Sequence, residues 1–259
     1  RSPGRTQAPE SGAMARGATA AAAALVLAVL AALAPAPALA GCDRRQDGYF
    51  DFFMLAIQWP AQFGHPEIGH WTLHGLWPSR KGSMAAAHTY PCSCTREEFD
   101  AHAVQGFRDQ MEIFWPTLFS SNSNEHFWSH EWGKHGTCAK MANQSAYFRR
   151  TLDVRAAHAP GPAFINFTSV HHDHQVKASA LTDAYRQLYG AAPMLGCHIE
   201  DGRQYLAEIG VCLGVASLTP EDCDRSVERI HDEVNNCNDD SPIWVRPAKA
   251  ASVELLAPQ

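Results

Sequence analysis

The chain has little positive charge: 27 acidic side chains outnumber 21 basic ones, and the formal net charge is −6 at pH 7. Such a surface repels polyanions at neutral pH. All 14 histidines, however, lie after residue 40, and with an ordinary pKa of about 6.5 most of them become protonated near pH 5. If the ligand is a polyanion, we therefore expect an acidic working compartment. The alternative is that these histidines are scattered surface residues without a common role.

No apolar run reaches the roughly 20 residues that a membrane-spanning helix needs. The apolar run at residues 20–33 follows a positively charged segment and precedes a small-residue stretch that ends at Ala40, a pattern typical of a secretory signal peptide. We expect residues 14–40 to be this signal peptide and residues 1–13 to be an artefactual or untranslated-region extension. Residues 41–259 are then a single domain without repeats.

The sequence also lacks the paired cysteine motifs of common zinc sites, because Cys92 and Cys94 are separated by one residue and no second pair completes a site. In an oxidising compartment, disulfides are the expected state of an even number of cysteines. Spacing alone leaves all connectivities open. The eight cysteines are Cys42, Cys92, Cys94, Cys138, Cys197, Cys212, Cys223 and Cys237.

Hydrophobic residues make up 46% of the chain and charged residues 19%, which indicates a globular protein. Periodicity and capping signals predict a mixture of strands and helices without strict alternation, and hence an α+β fold with several packed helices and disulfides. The predicted strands are 50–59, 71–77, 194–199, 205–213 and 243–245. The predicted helices are one from the capping box at Thr95 towards Pro116, then 124–134, 145–157 and 175–189.

Two segments, residues 71–78 and 127–138, combine histidine with tryptophan and glycine. In a regular strand, His74 would point away from the face of its neighbour Leu73 and could line a cleft. On the predicted helix at 124–134, Glu131, Lys134 and His135 would lie on one side. An ordinary surface ion pair is the alternative interpretation of the second segment.

The sequence from His130 to Lys134 is similar to the zinc motif H-E-x-x-H, but Lys134 occupies the position of the second metal ligand. A cation there argues against a metal site, and we expect no metal or cofactor. The cluster at residues 171–174, with three histidines and one aspartate, could bind a metal but is interpreted as a solvated loop.

These side chains suit cleavage of an RNA phosphodiester. The ribose 2′-hydroxyl loses a proton as it attacks phosphorus and the 5′-oxygen gains one, so two imidazoles such as His74 and His135 can serve both steps. Lys134 and protonated His130 could stabilise charge on the phosphoryl oxygens. Glu131 would orient a neighbouring histidine or raise its pKa. DNA has no 2′-hydroxyl, so this mechanism would spare it.

At these two segments, together with Gln58-Trp59-Pro60 and Tyr189-Gly190, the chain resembles the ribonuclease T2 family. The resemblance implies a central antiparallel sheet and cleavage of single-stranded RNA through a 2′,3′-cyclic phosphate, often at acid pH. It also implies roles for particular residues. These are His74 and His135 as the acid–base pair with His135 as base, Glu131 and Lys134 as transition-state support, His130 as phosphate ligand, and Trp77 and Gln58 as substrate contacts.

Trp128 can serve either as a packing residue or as a stacking surface for a nucleobase, and we include it among the expected substrate contacts. The resemblance pairs Cys94 with Cys138, Cys197 with Cys237 and Cys212 with Cys223, and Cys42 with Cys92 follows by elimination. Gly133 stands where many relatives carry glutamate.

Sequons at Asn143 and Asn166 agree with entry into the secretory pathway. We expect an extracellular or vacuolar or lysosomal monomer that acts on single-stranded RNA without stable membrane association. The acidic balance favours a general ribonuclease over a pollen-recognition type. The alternative function is a storage or recognition relative without catalysis, and a metal hydrolase is a third possibility that Lys134 argues against.

Overall fold

The computed structural model describes residues 41–43, 48–81, 88–161, 163–165, 167, 175–223 and 237–249. The chain divides into two units, Arg1–Leu39 and Ala40–Gln259, and every described residue belongs to the second. The expected signal peptide, Asn166 and the histidine-rich cluster at 171–174 lie outside the described residues. Within the described ranges, no helix combines the length and apolar character needed to cross a membrane.

A six-stranded sheet forms the centre of the described domain, with its main strands in the order β3-β2-β6-β5 and two short strands paired to β6. All pairings in this sheet are antiparallel except that of β6 with β8. A separate parallel pair joins β1 and β4. The strands are β1 Gly41–Asp43, β2 Phe52–Gln58, β3 Thr72–Ser79, β4 His88–Pro91, β5 Met194–Glu200, β6 Arg203–Gly214, β7 Pro220–Glu221 and β8 Ile243–Trp244. The sheet confirms the predicted α+β class.

Strand β2 is buried along its whole length because both faces of the sheet are covered. Phe53, Leu55 and Ile57 join the main core with the helices, whereas Phe52 and Met54 pack in a smaller cluster on the other face. A strand buried on both faces is expected to read as a continuous apolar run, which is how residues 52–57 appear in the sequence. The central position of β2 places its last residue, Gln58, next to β3 and β6.

The α-helices cover one face of the sheet. The helices at 124–134 and 144–158 agree closely with their predicted bounds. Ser123 accepts a hydrogen bond from the His126 N–H and so caps the second helix, as Asn143 does for the third. Gly190 ends the fourth helix with φ 89°, a conformation that favours glycine. The helices are α1 Arg108–Phe114, α2 Asn124–Lys134, α3 Gln144–His158 and α4 Ala178–Tyr189, and short 3₁₀ helices cover Pro60–Phe63, Ala101–Phe107 and Gly136–Cys138.

The predicted helix from Thr95 is wrong at its start. The first turn is a 3₁₀ helix at Ala101–Phe107, and Asp100 rather than Thr95 caps it by accepting from the His102 N–H. Gln144 explains the difference, because its side-chain amide donates to Glu97 and accepts from the Asp100 N–H. These tertiary bonds hold residues 97–100 outside a helix.

The predicted helix at 175–189 is also too long. Val176 instead pairs with Ile243 in an isolated antiparallel bridge, so α4 begins at Ala178. Strands β1, β4 and β7 were not predicted, since each is too short to show a clear pattern. Strands β1 and β4 pair with each other from distant parts of the sequence, and β7 pairs with the nearby end of β6.

Three disulfides link the described part of the chain: Cys94–Cys138, Cys197–Cys237 and Cys212–Cys223. They are the three pairs that the family resemblance implies. Cys92 is also disulfide-bonded. The backbone of Cys42 lies opposite Tyr90, two residues before Cys92, in the β1–β4 pair.

Candidate functional site

His74 lies at an irregularity in the register between β2 and β3. Ala56 pairs with Gly75 and Ile57 pairs with Leu73, so His74 is the extra residue of a β-bulge. Bulges turn a side chain away from the regular alternation of a strand and are common next to active sites. The Trp115 indole N–H donates to the His74 carbonyl at 2.8 Å and fixes the bulge. The His74 side chain keeps 17% of its surface exposed.

Helix α2 supplies the second group of side chains. Glu131 lies inside its last turns and is 1% exposed, Lys134 is the last helical residue, and His135 follows directly and is also 1% exposed. A cation in the last turn complements the negative end of the helix dipole. The next residue, Gly136, has no room for a side chain, because a Cβ there would lie 2.3 Å from the Trp132 ring. The sharp exit from α2 therefore depends on this glycine.

The buried indole of Trp77 is the contact that both motifs share. Its ring meets His74 edge to face with 4.8 Å between centroids, and it stacks on His135 at 5.2 Å. Its N–H donates to Glu131 Oε2 at 2.8 Å. The structure thus gathers two imidazoles and a carboxylate, drawn from a strand and a helix, around one side chain.

Gly75 makes this close approach possible. A Cβ at this position would lie 2.2 Å from both Glu131 Oε2 and Trp77 Nε1, the two atoms that share the hydrogen bond. A side chain at residue 75 would therefore separate the carboxylate from the indole. The glycine of the first motif is explained by packing against the second motif.

Burial raises the pKa of Glu131 to about 7. The positive charges of His74 and Lys134 and the hydrogen bond from Trp77 act in the opposite direction, and the Glu208 carboxylate adds to the increase. Loss of hydration outweighs these favourable contacts because Glu131 is fully enclosed. The site therefore holds a carboxyl group that changes charge near neutral pH.

Glu208 and Gln58 hold the other side of His74. Glu208 Oε1 lies 3.0 Å from His74 Nδ1, and Gln58 Nε2 lies 3.3 Å from the same nitrogen. Both residues are almost fully buried. Sequence reasoning did not select Glu208, although a single carboxylate inside the apolar strand 205–213 was a signal of a buried partner.

The remaining predicted residues take different places. The Lys134 Nζ lies 5.7 Å from the centre of the Tyr90 ring, and that ring lies 5.7 Å from His135. His130 is exposed on α2, one residue before Glu131. Trp128 is not brought to this group: it is completely buried, and its N–H donates to the Trp115 carbonyl in the main core.

The described residues contain no group of three or more histidine, cysteine, aspartate or glutamate side chains that could hold a metal ion. The predicted disulfide Cys94–Cys138 joins the turn after α2 to the segment that follows β4. In that segment, Ser93 donates its N–H to the Lys134 carbonyl at 3.0 Å. These two contacts fix the end of α2. Fold and site together define a disulfide-linked α+β protein in which two histidines, a carboxyl group and a lysine from separate elements lie close to one another.

Comparison with known proteins identifies the family to which the chain belongs. The model of the Ribonuclease T2 family matches residues 50–223. The chain belongs to this family and is an endoribonuclease. The matched region contains both motifs, the whole of β2 to β7 and helices α1 to α4.

Individual relatives agree with this assignment. Ribonuclease T2 of Sus scrofa is 30% identical over 195 residues, which cover 71% of this chain and 88% of that protein. Extracellular ribonuclease LE of Solanum lycopersicum is 29% identical over 191 residues, covering 67% of this chain and 80% of that protein. A mutant of RNase MC1 solved in complex with 5′-GMP is 30% identical with a TM-score of 0.59, covering 68% of this chain and 95% of that one.

Proposed function

We propose that this protein cleaves single-stranded RNA by transphosphorylation through a 2′,3′-cyclic phosphate, with His74 and His135 as the acid–base pair. The contact of both imidazoles with the Trp77 indole carries the proposal, because it places two proton-transferring groups from separate elements in one site. Membership of a ribonuclease family supplies the substrate class.

In the first step, His135 accepts the proton of the 2′-hydroxyl as its oxygen attacks phosphorus, and His74 donates a proton to the departing 5′-oxygen. Each transfer contributes roughly 10²- to 10⁴-fold to the rate. His135 is enclosed by the rings of Trp77 and Tyr90, so the proposal requires that one of these rings yields when RNA binds. His74 retains an exposed edge from which it can reach the leaving group.

Three neighbouring groups bind the phosphate in this scheme. Lys134 and protonated His130 supply positive charge towards the phosphoryl oxygens. Glu131, whose pKa burial raises to about 7, is largely protonated at pH 5 and can donate a hydrogen bond from Oε1 while Oε2 accepts from Trp77. The scheme uses the protonated forms of Lys134, His130 and Glu131, and weakly acid pH favours these forms.

We assign substrate contacts to Gln58 and Trp77, which border the histidine pair. Trp128 is left out of the proposal, because it packs in the main core against Phe99 and donates to the Trp115 carbonyl instead of lying beside the histidine pair. The stacking role considered for it would need a rearrangement of the core.

The test is incubation of the purified protein with a defined RNA oligonucleotide in the presence of a chelator, from pH 4 to pH 8. We expect cleavage with 2′,3′-cyclic phosphate ends and none when the scissile nucleotide carries a 2′-deoxyribose. His74→Ala and His135→Ala should each lower kcat/KM by at least about 10²-fold. His126→Ala, an exposed position on the same helix, serves as the control and should retain activity.

Other results would contradict the proposal. Substantial turnover by His135→Ala with intact far-ultraviolet circular dichroism would remove its role as base. Loss of cleavage in chelator, restored by a divalent cation, would favour a metal hydrolase. The absence of cleavage at every pH would favour the storage or recognition alternative.

We also propose that the protein is a monomer that enters the secretory pathway and is released or delivered to a vacuole or lysosome. The signal pattern at 14–40, the disulfides and the exposed Asn143 sequon support this route. The names of two tomato relatives, extracellular LE and intracellular LX, are compatible with either destination. Secretion by a eukaryotic host with a glycan lost in Asn143→Gln would support the route, and retention of an uncleaved chain in the cytosol would contradict it.

A further inference from the structure

Glu208 is a carboxyl group buried inside the sheet, with 2% of its surface exposed. It lies on the central strand β6, opposite Gln58 of β2 and Gly196 of β5. A buried carboxyl group that lacks a polar partner costs several kcal/mol, so its partner identifies its role. One such partner is His74, whose Nδ1 lies 3.0 Å from Oε1.

The backbone around this contact departs from regular pairing on both sides. His74 is the extra residue of the β3 bulge, and Ala207 is the extra residue where β6 pairs with β5, since Gly196 faces Glu208 and Cys197 faces Leu206. Each bulge reverses the alternation of side chains locally. From Glu208 onwards β6 pairs regularly with β2, which puts Glu208 beside Gln58, and the bulge on β3 brings His74 to the same place across β2.

We propose that Glu208 is a positioning residue for His74: it accepts the Nδ1 proton, fixes the ring and its tautomer, and leaves Nε2 to exchange the proton with RNA. This inference rests on the proposed function and assigns a role to a residue outside the two motifs. Glu208 rather than Gln58 accepts the Nδ1 proton, because the nearby Gln58 atom is the amide nitrogen Nε2, which is itself a donor. Glu208 Oε1 is also the nearer of the two atoms. The arrangement also stabilises the imidazolium form when Glu208 is ionised.

Other charges face His74 from the neighbouring elements. Glu131 of α2 interacts electrostatically with His74 and Glu208. It also interacts with Lys134, three residues further along the same helix. Glu131 is bonded to Trp77, whereas Glu208 is bonded to the imidazole itself. Replacement of Glu208 therefore tests the direct contact and leaves the Trp77–Glu131 bond in place.

The experiment compares Glu208→Gln and Glu208→Asp with the wild-type protein and with Glu221→Gln. Glu221 is a partly exposed residue on the adjacent strand β7 and serves as the control. The first measurement is the NMR titration of the His74 imidazole, identified as the resonance missing from His74→Ala. The second is the pH dependence of kcat/KM for RNA cleavage.

In Glu208→Gln we expect the titration midpoint of His74 to fall by on the order of one pH unit, because an adjacent anion is lost. The limb of the activity profile that reports His74 should move to lower pH by the same amount, and kcat should fall by about 10-fold or more, as for other residues that orient a histidine. Glu208→Asp keeps the charge and should largely restore the midpoint. Glu221→Gln should match the wild type.

An unchanged His74 midpoint in Glu208→Gln, or an activity profile that is scaled down uniformly at every pH, would overturn the inference. If Glu208→Gln fails to fold, Glu208→Asp decides: a His74 midpoint and activity close to the wild type support the inference, and the loss of both overturns it. If the wild-type protein cleaves no RNA, the proposed function fails, while the NMR titration still decides whether Glu208 holds the imidazole.

Discussion

At the scale of single residues, Trp77 shows how one side chain can organise a site. Its N–H donates to Glu131, and its ring stacks on His135 and meets His74 in a T-shaped contact. An indole N–H in a buried position needs an acceptor, and here the acceptor is a carboxyl group of the second motif. The tryptophan thus links the two motifs before any substrate is present.

Glu131 gives the first prediction at this scale. Its pKa is about 7 in the folded protein, against 4.5 for an exposed glutamate, so between these pH values the folded state binds more protons than the unfolded state. The contribution of Glu131 to stability therefore decreases as the pH rises from about 4.5 to about 7. Glu131→Gln removes this dependence and should gain on the order of 1 to 3 kcal/mol relative to the wild type over that interval.

Urea denaturation of both proteins at pH 4.5 and pH 7.5 measures this difference. Glu112→Gln, which alters an exposed carboxylate paired with Arg108, is the control and should show a constant offset. A constant offset for Glu131→Gln as well would show that the carboxyl group titrates as an exposed one does.

Gly75 gives the second prediction. In Gly75→Ala the new Cβ would displace Glu131 Oε2 and Trp77 Nε1, so we expect a loss of about 1 to 3 kcal/mol in unfolding free energy together with reduced kcat for RNA. Gly106→Ala, where no atom lies within 4 Å of a Cβ, should be nearly neutral in both measurements. Equal effects of the two substitutions would contradict the packing explanation.

At the scale of elements, helix α2 combines ordinary helix signals with one weak position. Ser123 caps the helix, Glu125 occupies the first turn and Lys134 the last, all in agreement with capping and dipole rules. Gly133 is the exception, because glycine inside a helix costs conformational entropy. The helix is therefore not optimised next to the residues that form the site.

Gly133→Ala should raise the unfolding free energy by about 0.5 to 1 kcal/mol, since a Cβ there meets no atom within 4 Å. The matched control is Gly136→Ala, three residues further on, where a Cβ would collide with the Trp132 ring and the protein should be destabilised. Chemical denaturation of both variants at one pH provides the comparison. Destabilisation by Gly133→Ala would mean that this glycine has a packing role not visible in its surroundings.

At the scale of the whole molecule, the acidic charge balance opposes RNA binding at neutral pH, and we expect protonated histidines to offset it at acid pH. Burial lowers the pKa of His70 and of His158, so these two become protonated only at lower pH. The number of other histidines that carry a proton determines how much of the net charge of −6 is neutralised at a given pH. We therefore expect acid conditions to favour the protein as a whole, and not only its proposed site.

Salt provides a measurement of this effect. At pH 5 we expect the KM for RNA to increase strongly with ionic strength, because salt screens an attraction between unlike charges. At pH 7 the increase should be smaller, because screening also relieves the repulsion between the acidic surface and the phosphates. Steady-state kinetics in about 50 and 200 mM salt at both pH values test this, and equal salt dependence at the two would contradict it.

The sequence by itself determined the local features: the strands β2 and β3, the helix bounds of α2 and α3, and the side chains of the two motifs. These follow from apolar periodicity, caps and glycines, which act over a few residues. The family resemblance, carried by the same motifs, also gave the disulfide pairs Cys94–Cys138, Cys197–Cys237 and Cys212–Cys223.

Tertiary structure alone decided three things. Gln144 keeps residues 97–100 out of the first predicted helix, Trp128 packs in the core instead of at the site, and the bulge on β3 brings His74 to Glu208. Each depends on contacts between residues more than 10 positions apart in the sequence, where local propensity carries no information. A one-residue bulge changes which face a side chain occupies, and only the pairing of strands can reveal it.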